Sequence, residues 1–397
     1  MIYRKEYMET LKRFKDKDLI KVVSGIRRCG KSTLFDMYIE YLKEIGISEN
    51  QIVRINLEER EYVEIDDYLE LYDIIDARLN KNKNNYVFID EVQNIPEFQK
   101  AVEALYIKKN VDIYITGSNA YILSGELATI LTGRYVEIKM MPLSFDEYIS
   151  HLGKNDLRKK YNDYILNSSF PYTVNLDNRK DINMYLEGIY NSIILKDIAS
   201  RKNIIDTSVL SNIIKYIFDN IGNLVSCNKI ANTLISSGRK LSVSTIENYL
   251  QALIDSHIAY KVERYDIKGK QYLSSGYKYY VCDIGLRYYL LGNKKNDYGH
   301  ILENIVFLEL KRRGYEIYIG KNGDTEVDFI VQNENGTEYY QVAYSVYDEK
   351  TLEREIGALD NIKDHNPKYL LTMDEVPVVS HNGIKQIYVL DWLLNEI

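Results

Sequence analysis

Cysteine is scarce in this chain of 397 residues, which contains three, Cys29, Cys227 and Cys282. They lie far apart and match neither the spacing of a metal site nor that of a disulfide framework. No stretch approaches the roughly 18 uninterrupted apolar residues of a membrane span, and the first residues lack the apolar core of a signal peptide. These absences predict a cytoplasmic protein with no membrane segment.

An excess of positive charge is also absent, since the formal net charge is −7. This argues against a protein that coats nucleic acid with its whole surface, and it leaves room for a basic patch on one domain. Tryptophan and phenylalanine are rare, with 1 and 9 residues, whereas tyrosine is abundant, with 37. The tyrosines are scattered, so they indicate compositional drift rather than a platform for stacking bases. The length predicts two or three domains.

The most informative segment that is present is a phosphate-binding loop pattern at residues 25–32. Its sequence GIRRCGKS fits G-x-x-x-x-G-K-[ST], with an apolar strand before it and a helix after it. Glycines at both ends let successive N–H groups point at one anion, and the helix N-terminus adds partial positive charge. Lys31 is expected to reach the β- and γ-phosphates of ATP, and the Ser32 hydroxyl to coordinate Mg²⁺. The predicted nucleotide contacts are Gly25, Arg28, Gly30, Lys31, Ser32 and Thr33. The alternative is a glycine-rich turn that caps an ordinary helix.

A second apolar segment, residues 84–91, ends in two carboxylates. Its near-continuous apolar sequence is typical of a parallel strand buried on both faces, and its C-terminal end lies where open α/β sheets bind ligands. Asp90 is expected to hold Mg²⁺, and Glu91 to polarise the water that attacks the γ-phosphate. The alternative is a structural strand followed by a solvated acidic turn.

A third strand of the same type, residues 111–119, ends in small polar side chains. A polar group at that strand tip, beside Asp90, can orient the attacking water and respond to the γ-phosphate. Asn119 is the first candidate for this role and Ser118 is the second.

Strands and helices alternate over residues 1–150, which predicts a parallel sheet covered on both faces. The strands are predicted at 20–24, 52–56, 86–90, 112–116 and 135–139, and the helices at 8–14, 32–45, 68–80 and 97–108.

These motifs together resemble those of the AAA+ ATPases, and most of all a prokaryotic group that joins an ATPase domain to a C-terminal DUF4143-type domain. The resemblance rests on residues 25–33, 88–91 and 115–119, on LTGRY at 131–135 and on MPLSFDEY at 141–148. The family carries a Gly-Arg pair before its Pro-Leu-Ser-Phe segment, and Arg134 occupies that position here. The resemblance implies that Arg134 acts as an arginine finger, in trans if subunits assemble. The alternative is a surface arginine in the turn after Gly133.

Residues 206–280 contain three helical segments and then a hairpin pattern, which is the layout of a winged helix. The helices are predicted at 208–220, 226–234 and 242–253, with Ser226 as one N-cap and a capping box of Ser244 and Glu247 in the third. The third helix of such a domain can enter the DNA major groove. The candidate DNA contacts are Lys240, Ser242, Ser244, Thr245, Asn248, Lys268 and Lys270. Protein docking and plain scaffolding are the alternatives, because this face is polar but barely basic.

Residues 281–397 resemble the PD-(D/E)xK nuclease core, because a helix carries Glu303, a strand carries Asp328 and the next strand carries Gln341. In active nucleases of this kind the last strand supplies Glu-x-Lys, whose acid helps to bind Mg²⁺ and whose lysine positions the attacking water. Gln341 replaces that acid and Ala343 replaces the lysine. We therefore expect a degenerate domain that binds nucleic acid or a partner and does not cut DNA. Its strands are predicted at 316–320, 326–332, 339–344, 368–372 and 387–390.

The sequence thus predicts an α/β protein with a P-loop NTPase core of the AAA+ kind at 1–150, a helical lid or connector at 151–205, a winged helix at 206–280 and a nuclease-like α/β domain at 281–397. The expected activity is Mg²⁺-dependent ATP hydrolysis that drives a switch or remodeller on DNA or on a DNA-bound partner. An ATP-regulated scaffold or effector of a defence or toxin-type system, which binds only protein, is the second expectation. An ATP-gated nuclease is the third. A homo-oligomer is compatible with each.

Overall fold

The computed structural model describes residues 1–117, 133–199, 206–236, 241–293 and 297–396 of the chain. The chain forms two compact units. The first comprises Met1–Pro142 together with Asp255–His257, and the second comprises Leu143–Ile254 and Ile258–Ile397.

The first unit is built on one parallel β-sheet with helices on both faces. Its strands are β1 (Ile20–Ser24), β2 (Ile52–Asn56), β3 (Asn85–Asp90), β4 (Val111–Gly117) and β5 (Tyr135–Lys139). Its helices are α1 (Lys5–Arg13), α2 (Lys31–Glu44), α3 (Tyr68–Arg78) and α4 (Phe98–Tyr106). The strand order is β2-β3-β4-β1-β5, and every neighbouring pair is parallel. The predicted parallel sheet of an α/β fold is therefore confirmed.

The continuous apolar sequence of the strands has a simple cause, since both faces of the sheet are buried. On one face Val87 and Ile89 join an aliphatic cluster with Leu71 of α3 and Leu105 of α4. On the other face Phe88 stacks on Tyr114 with ring centroids 4.7 Å apart and meets α2 through edge-on aromatic contacts. Alternate residues of β3 and β4 thus bury against different helices, which fixes the register of these strands.

The second unit contains a mixed sheet and further helices among the residues that the structure describes. Its helices are α5 (Phe145–Leu152), α6 (Leu157–Asn167), α7 (Arg179–Asn191), α8 (Thr207–Asp219), α9 (Cys227–Ser236), α10 (Val243–Asp255), α11 (Ile284–Leu291), α12 (Tyr298–Arg312), α13 (Glu349–Asp360) and α14 (Val389–Leu393), with a π-type segment at Ser192–Ala199. Its strands are β6 (Leu224–Val225), β7 (Ala259–Asp266), β8 (Gln271–Val281), β9 (Glu316–Asn322), β10 (Thr325–Asn333), β11 (Gly336–Ala343), β12 (Lys368–Thr372), β13 (Val379–His381) and β14 (Ile384–Tyr388).

The predicted wing hairpin belongs to a larger sheet. Strands β7 and β8 pair antiparallel, but β7 also pairs parallel with β9, with Arg264 opposite Ile319 and Asp266 opposite Lys321. The nine strands follow the order β13-β14-β12-β11-β10-β9-β7-β8-β6. The sheet therefore continues across the predicted domain boundary after residue 280, and the hairpin has no free edge at the paired part of β7.

The third helix of the predicted winged helix starts with a different cap from the one expected. Helix α10 begins at Val243, and the Thr245 backbone N–H donates to Ser242 Oγ at 3.1 Å. Ser242 is therefore the N-cap, and the expected capping box of Ser244 and Glu247 is wrong. Both serines suit a cap by residue type. Because the helix begins before Ser244, that residue lies inside its first turn.

Candidate functional site

The phosphate loop pattern lies between the end of β1 and the start of α2. Gly25 follows β1 with φ of +150°, and a Cβ built on it would lie 2.1 Å from the Met140 carbonyl oxygen, so only glycine fits there. Gly30 precedes α2 with φ of +101°, and Arg28 has φ of +66°. Such left-handed backbone favours glycine and is unusual for arginine. The loop is thus a tightly curled connection whose geometry depends on both glycines of the motif.

Lys31 directs its side chain back into the mouth of this loop. It is buried, and its Nζ donates to the carbonyl oxygens of Gly25 at 3.0 Å and Ile26 at 3.3 Å. The same Nζ lies 3.8 Å from Glu91 Oε1. The structure therefore brings the motif lysine close to the carboxylate that follows β3. Of the other predicted contacts, Ser32 is half-buried, and Arg28 and Thr33 are exposed.

The two carboxylates at the end of β3 have different surroundings. Asp90 Oδ1 accepts a hydrogen bond from Thr116 Oγ1, whereas Asp90 Oδ2 is buried and makes no hydrogen bond to any residue that the structure describes. Burying an unpaired carboxylate oxygen is costly, and carboxylate oxygen is a preferred ligand of Mg²⁺. The free oxygen of Asp90 thus fits a role in holding a nucleotide-bound magnesium ion.

Glu91 is held in an unusual backbone conformation beside Lys31. Its φ is +52°, its backbone N–H donates to Thr116 Oγ1 at 3.0 Å, and its Oε2 accepts from the Gln93 side-chain amide. Left-handed backbone at a glutamate costs about 1–2 kcal/mol, so the surrounding contacts have to maintain it. They hold the carboxylate at the edge of the sheet that carries the phosphate loop.

Thr116 is a site residue that no sequence pattern indicated. It lies at the end of β4, is fully buried, and links Asp90 to the backbone of Glu91 through one hydroxyl. A threonine in a β-strand is common, so residue type alone gives no signal of this role. The residues predicted for the tip of this strand, Asn119 and Ser118, lie outside the described residues.

Arg4 is a second site residue that belongs to no recognisable sequence motif. It precedes α1 and is buried, and its guanidinium donates to the carbonyl oxygens of Cys29 at 2.9 Å and Met141 at 2.7 Å. Cys29 itself is fully buried, which raises the pKa of its thiol and disfavours the reactive thiolate. Arg4 therefore buttresses the phosphate loop from behind, across 25 residues of sequence.

Arg134 lies where strand β1 begins, at the end of the parallel sheet opposite the end that carries the phosphate loop. Its carbonyl oxygen accepts from the Ile20 N–H at 2.8 Å, at the start of β1, whereas the loop follows Ser24 at the other end. The five residues of β1 span about 16 Å. The guanidinium pairs with Glu103 at 3.2 Å and lies over the Tyr106 ring, 5.6 Å from its centroid. A finger role for Arg134 therefore requires the nucleotide of another subunit.

The candidate DNA contacts divide into a helix start and a hairpin turn. Ser244 and Asn248 are exposed and Thr245 is half-buried, but the Ser244 and Thr245 hydroxyls both contact Ser242 Oγ, at 2.9 and 2.7 Å. Lys268 and Lys270 are exposed in the turn between β7 and β8. Lys240 lies outside the described residues. The Ser244 and Thr245 hydroxyls, which were expected to contact DNA, therefore already make hydrogen-bond contacts at the start of α10.

The predicted nuclease-type residues meet in the second unit, together with a lysine that was not expected. Lys278 of β8 is buried, and its Nζ lies 3.0 Å from Glu303 Oε1, 2.7 Å from Glu326 Oε1 and 3.9 Å from Asp328 Oδ1. The Tyr280 hydroxyl also donates to Glu303 Oε1 at 2.6 Å. The cluster therefore has a basic group, which comes from β8 and not from the position of Ala343.

Each acid of this cluster is already engaged by protein groups. Burial would raise the pKa of Glu303, but the Lys278 charge and the hydrogen bonds of His300, Tyr280 and Lys278 together outweigh it and hold that pKa below its usual value. Burial and the neighbouring Glu303 charge raise the pKa of Asp328, whose Oδ2 accepts from the Val342 N–H at 2.9 Å. Gln341 Oε1 accepts from the Asp328 N–H at 3.2 Å. In the described part of the chain, no group of three or more His, Cys, Asp and Glu residues is placed to hold a metal ion.

Comparison with known proteins relates the two parts of the chain to different families. Residues 17–149 match the family described as AAA domain, and residues 158–297 match a domain of unknown function, DUF8612. An uncharacterized protein of Haemophilus influenzae is 42% identical over 99% of this chain and 99% of its own length. The uncharacterized protein MJ1544 of Methanocaldococcus jannaschii is 32% identical over 94% of this chain and 85% of its own.

The fold also resembles a solved structure. The Walker-type ATPase PABY2304 of Pyrococcus abyssi aligns with a TM-score of 0.50 at 17% identity, over 73% of this chain and 96% of the other. Among the helices that the structure describes, none has both the length and the apolar character that a membrane crossing requires.

Proposed function

Because residues 17–149 match the AAA domain family, we propose that the chain is an AAA+ ATPase, which binds and hydrolyses ATP with Mg²⁺ and uses the cycle to switch or remodel a target, namely DNA or a DNA-bound partner. The observation that carries the proposal is the arrangement at the tip of β3, where Asp90 has a buried free oxygen and the next carboxylate, that of Glu91, lies 3.8 Å from the Nζ of the motif lysine. That the C-terminal domain is of the DUF4143 type stays a prediction.

The residues divide the work of hydrolysis according to their positions. The backbone N–H groups of residues 25–32 surround the phosphates, and Lys31 exchanges its contacts with the loop carbonyls for the β- and γ-phosphate oxygens. Ser32 and Asp90 would hold Mg²⁺, which neutralises charge on the transferring phosphoryl group when bound. Glu91 accepts a proton from the attacking water. Thr116 holds the two acidic residues in position, because its hydroxyl donates to the Asp90 carboxylate and accepts from the Glu91 N–H.

Two substitutions separate binding from hydrolysis. Glu91→Gln keeps the shape of the side chain and removes the base, so ATP should bind while turnover falls by about 10²- to 10⁴-fold. Lys31→Ala should weaken binding itself, because it deletes the charge that contacts the phosphates. The matched control is Glu97→Gln, since Glu97 has the same φ of +52° and is exposed. Turnover of Glu91→Gln at the wild-type rate would show that another residue activates the water.

The proposal that DNA is the target rests on the exposed positions of Lys268, Lys270, Ser244 and Asn248. Lysine side chains that contact DNA phosphates release counterions, so the affinity for DNA should fall steeply as the salt concentration rises. The test is ATPase activity with and without double-stranded DNA, together with binding at two salt concentrations. Lys268→Ala with Lys270→Ala should weaken DNA binding, and Lys385→Ala, an exposed lysine of β14, serves as the control.

The second candidate, an ATP-regulated scaffold that binds protein, is favoured by one observation. Glu247 is exposed between Ser244 and Asn248 on the helix that would enter the groove. A carboxylate there repels DNA phosphates, and the net charge of −7 adds to the repulsion. Absence of salt-sensitive DNA binding, together with a stable protein partner, would favour the scaffold over the DNA-directed switch.

A further inference from the structure

His257 follows helix α10 in a left-handed backbone conformation, which glycine adopts most readily. Its φ is +56°, and the following Ile258 N–H donates to the Leu253 carbonyl at 3.1 Å. This six-to-one hydrogen bond with a left-handed residue inside it is the Schellman pattern, in which glycine is the usual left-handed residue. This backbone conformation costs a histidine more free energy than a glycine, although histidine tolerates it better than most residues.

The ring is buried without a full set of partners. His257 is 9% exposed, and its Nε2 is buried with no hydrogen bond to any described residue. A buried polar atom left unpaired costs roughly 1–3 kcal/mol. Such an atom, held in place by a backbone turn, is suited to a ligand that supplies the missing partner.

The position of His257 relates it to the phosphate loop. Residues Asp255–His257 belong to the first compact unit, which contains the loop. Burial and the charges of Lys31 and Lys139 lower the pKa of His257 to about 4, so the ring is neutral at pH 7. Lys139 lies opposite Ser24 in the sheet, at the edge where the loop begins. Two lysines of that edge therefore act on the ring, and one of them is the phosphate-binding Lys31.

We propose that His257 is a nucleotide-binding residue whose Nε2–H donates to a phosphate oxygen of bound ADP or ATP. This inference rests on the proposed ATP binding. A neutral imidazole with one N–H meets an anionic oxygen as a charge-assisted hydrogen bond. The bound phosphate then satisfies the nitrogen that the protein leaves unpaired, and the turn at the end of α10 holds the donor in place.

The test uses the full chain and a substitution that the backbone accepts. His257→Gly removes the ring and suits the left-handed conformation, so the protein should fold. The expected result is an affinity for ADP about ten- to a hundredfold weaker than that of the wild type, as for loss of a hydrogen bond to a charged group. Affinity for adenosine, which has no phosphate, should stay unchanged. His257→Asn should restore part of the ADP affinity, because asparagine tolerates this backbone and keeps a donor.

The matched control is Asn382→Gly, which makes the same change at an exposed residue with φ of +51° in the turn between β13 and β14. Its ADP affinity should equal that of the wild type. Equal ADP affinity of wild type and His257→Gly would overturn the inference while leaving the proposed function intact. If His257→Gly lost affinity for ADP and for adenosine to the same extent, the ring would have a structural role, and the inference would again be overturned. A wild-type chain that binds neither ADP nor ATP would instead refute the proposed function.

Discussion

The buried lysine of the second unit gives the sharpest stability prediction. Lys278→Met removes the ammonium group and keeps an unbranched side chain of similar length. Glu303 would then retain the Tyr280 hydroxyl but lose the charge that lies 3.0 Å away. We expect this substitution to destabilise the second unit far more than removal of a lysine from the surface.

The magnitude follows from how well water can replace the lost partner. The Lys278 and Glu303 side chains are 4% and 8% exposed, whereas Glu326 is 35% exposed and can be solvated. Removing one partner of a buried ion pair costs about 3–5 kcal/mol. Because water can solvate Glu326 after the lysine is removed, we take the lower end of this range, about 3 kcal/mol. At about 1.4 kcal/mol per tenfold, this is somewhat more than a hundredfold change in the folding equilibrium.

The assay can follow the second unit by itself, because the chain has one tryptophan and it lies there. Trp392 of α14 is buried, with its ring 4.0 Å from the Arg313 guanidinium and 5.9 Å from the Tyr340 ring. Its fluorescence during urea unfolding should show a midpoint lower by on the order of 1 M for Lys278→Met, given a denaturant slope of about 1–3 kcal/mol per M. Lys350→Met, at an exposed lysine of α13, should lie within about 0.5 kcal/mol of the wild type.

A double substitution tests the cause rather than the size of the effect. Lys278→Met combined with Glu303→Gln should cost less than the sum of the two single changes, because a neutral amide does not need the ammonium group. If Lys278→Met and Lys350→Met unfolded at the same urea concentration, the electrostatic argument for this cluster would be refuted.

Three further predictions concern the two units. Arg134→Ala should abolish turnover while nucleotide affinity survives, with a loss on the order of 10³-fold, and mixing it with the Glu91→Gln protein should restore some activity. Hydrolysis per subunit that does not depend on concentration would speak against a finger in trans. Arg4→Met should weaken ATP binding by about tenfold, because the loop carbonyl of Cys29 and the carbonyl of Met141 lose their donor, while the exposed Arg13→Met should leave it unchanged. The C-terminal domain should not nick plasmid DNA with Mg²⁺ or Mn²⁺, with or without ATP, and nicking that disappears in Asp328→Ala would contradict this.

The parts of the site that could be predicted are those written in contiguous residues. The phosphate loop is eight consecutive residues, and Asp90 with Glu91 ends a strand whose apolar sequence is continuous. The fold class followed from the same strands, because burial on both faces leaves a clear sequence pattern. Residues that act through one distant contact left no such pattern. Arg4 and Thr116 belong to the site through hydrogen bonds across 25 and 26 residues.

The second unit shows the limit of local patterns in another way. The hairpin of β7 and β8 has the sequence of a wing, but the parallel pairing of β7 with β9 is made by backbone groups, which every sequence carries. Likewise the sequence alone shows that Ala343 stands where a nuclease of this kind has its lysine. That Lys278, 25 residues before Glu303, contacts this glutamate depends on how the strands pair. The end of the chain also differed, since α14 begins at Val389 where a strand was predicted to continue.

The buttress provided by Arg4 has a consequence for dissecting the protein. The stretch that matches the AAA domain family covers residues 17–149, so Arg4 lies upstream of it and His257 lies far downstream. A fragment cut at the ends of that match would keep every residue of the loop motif and lose the arginine that holds the back of the loop at Cys29. We expect such a fragment to be a poor substitute for the full chain in nucleotide assays. In this protein the unit that carries the phosphate loop is defined by its contacts in space, and its boundaries along the chain are not those that sequence similarity marks.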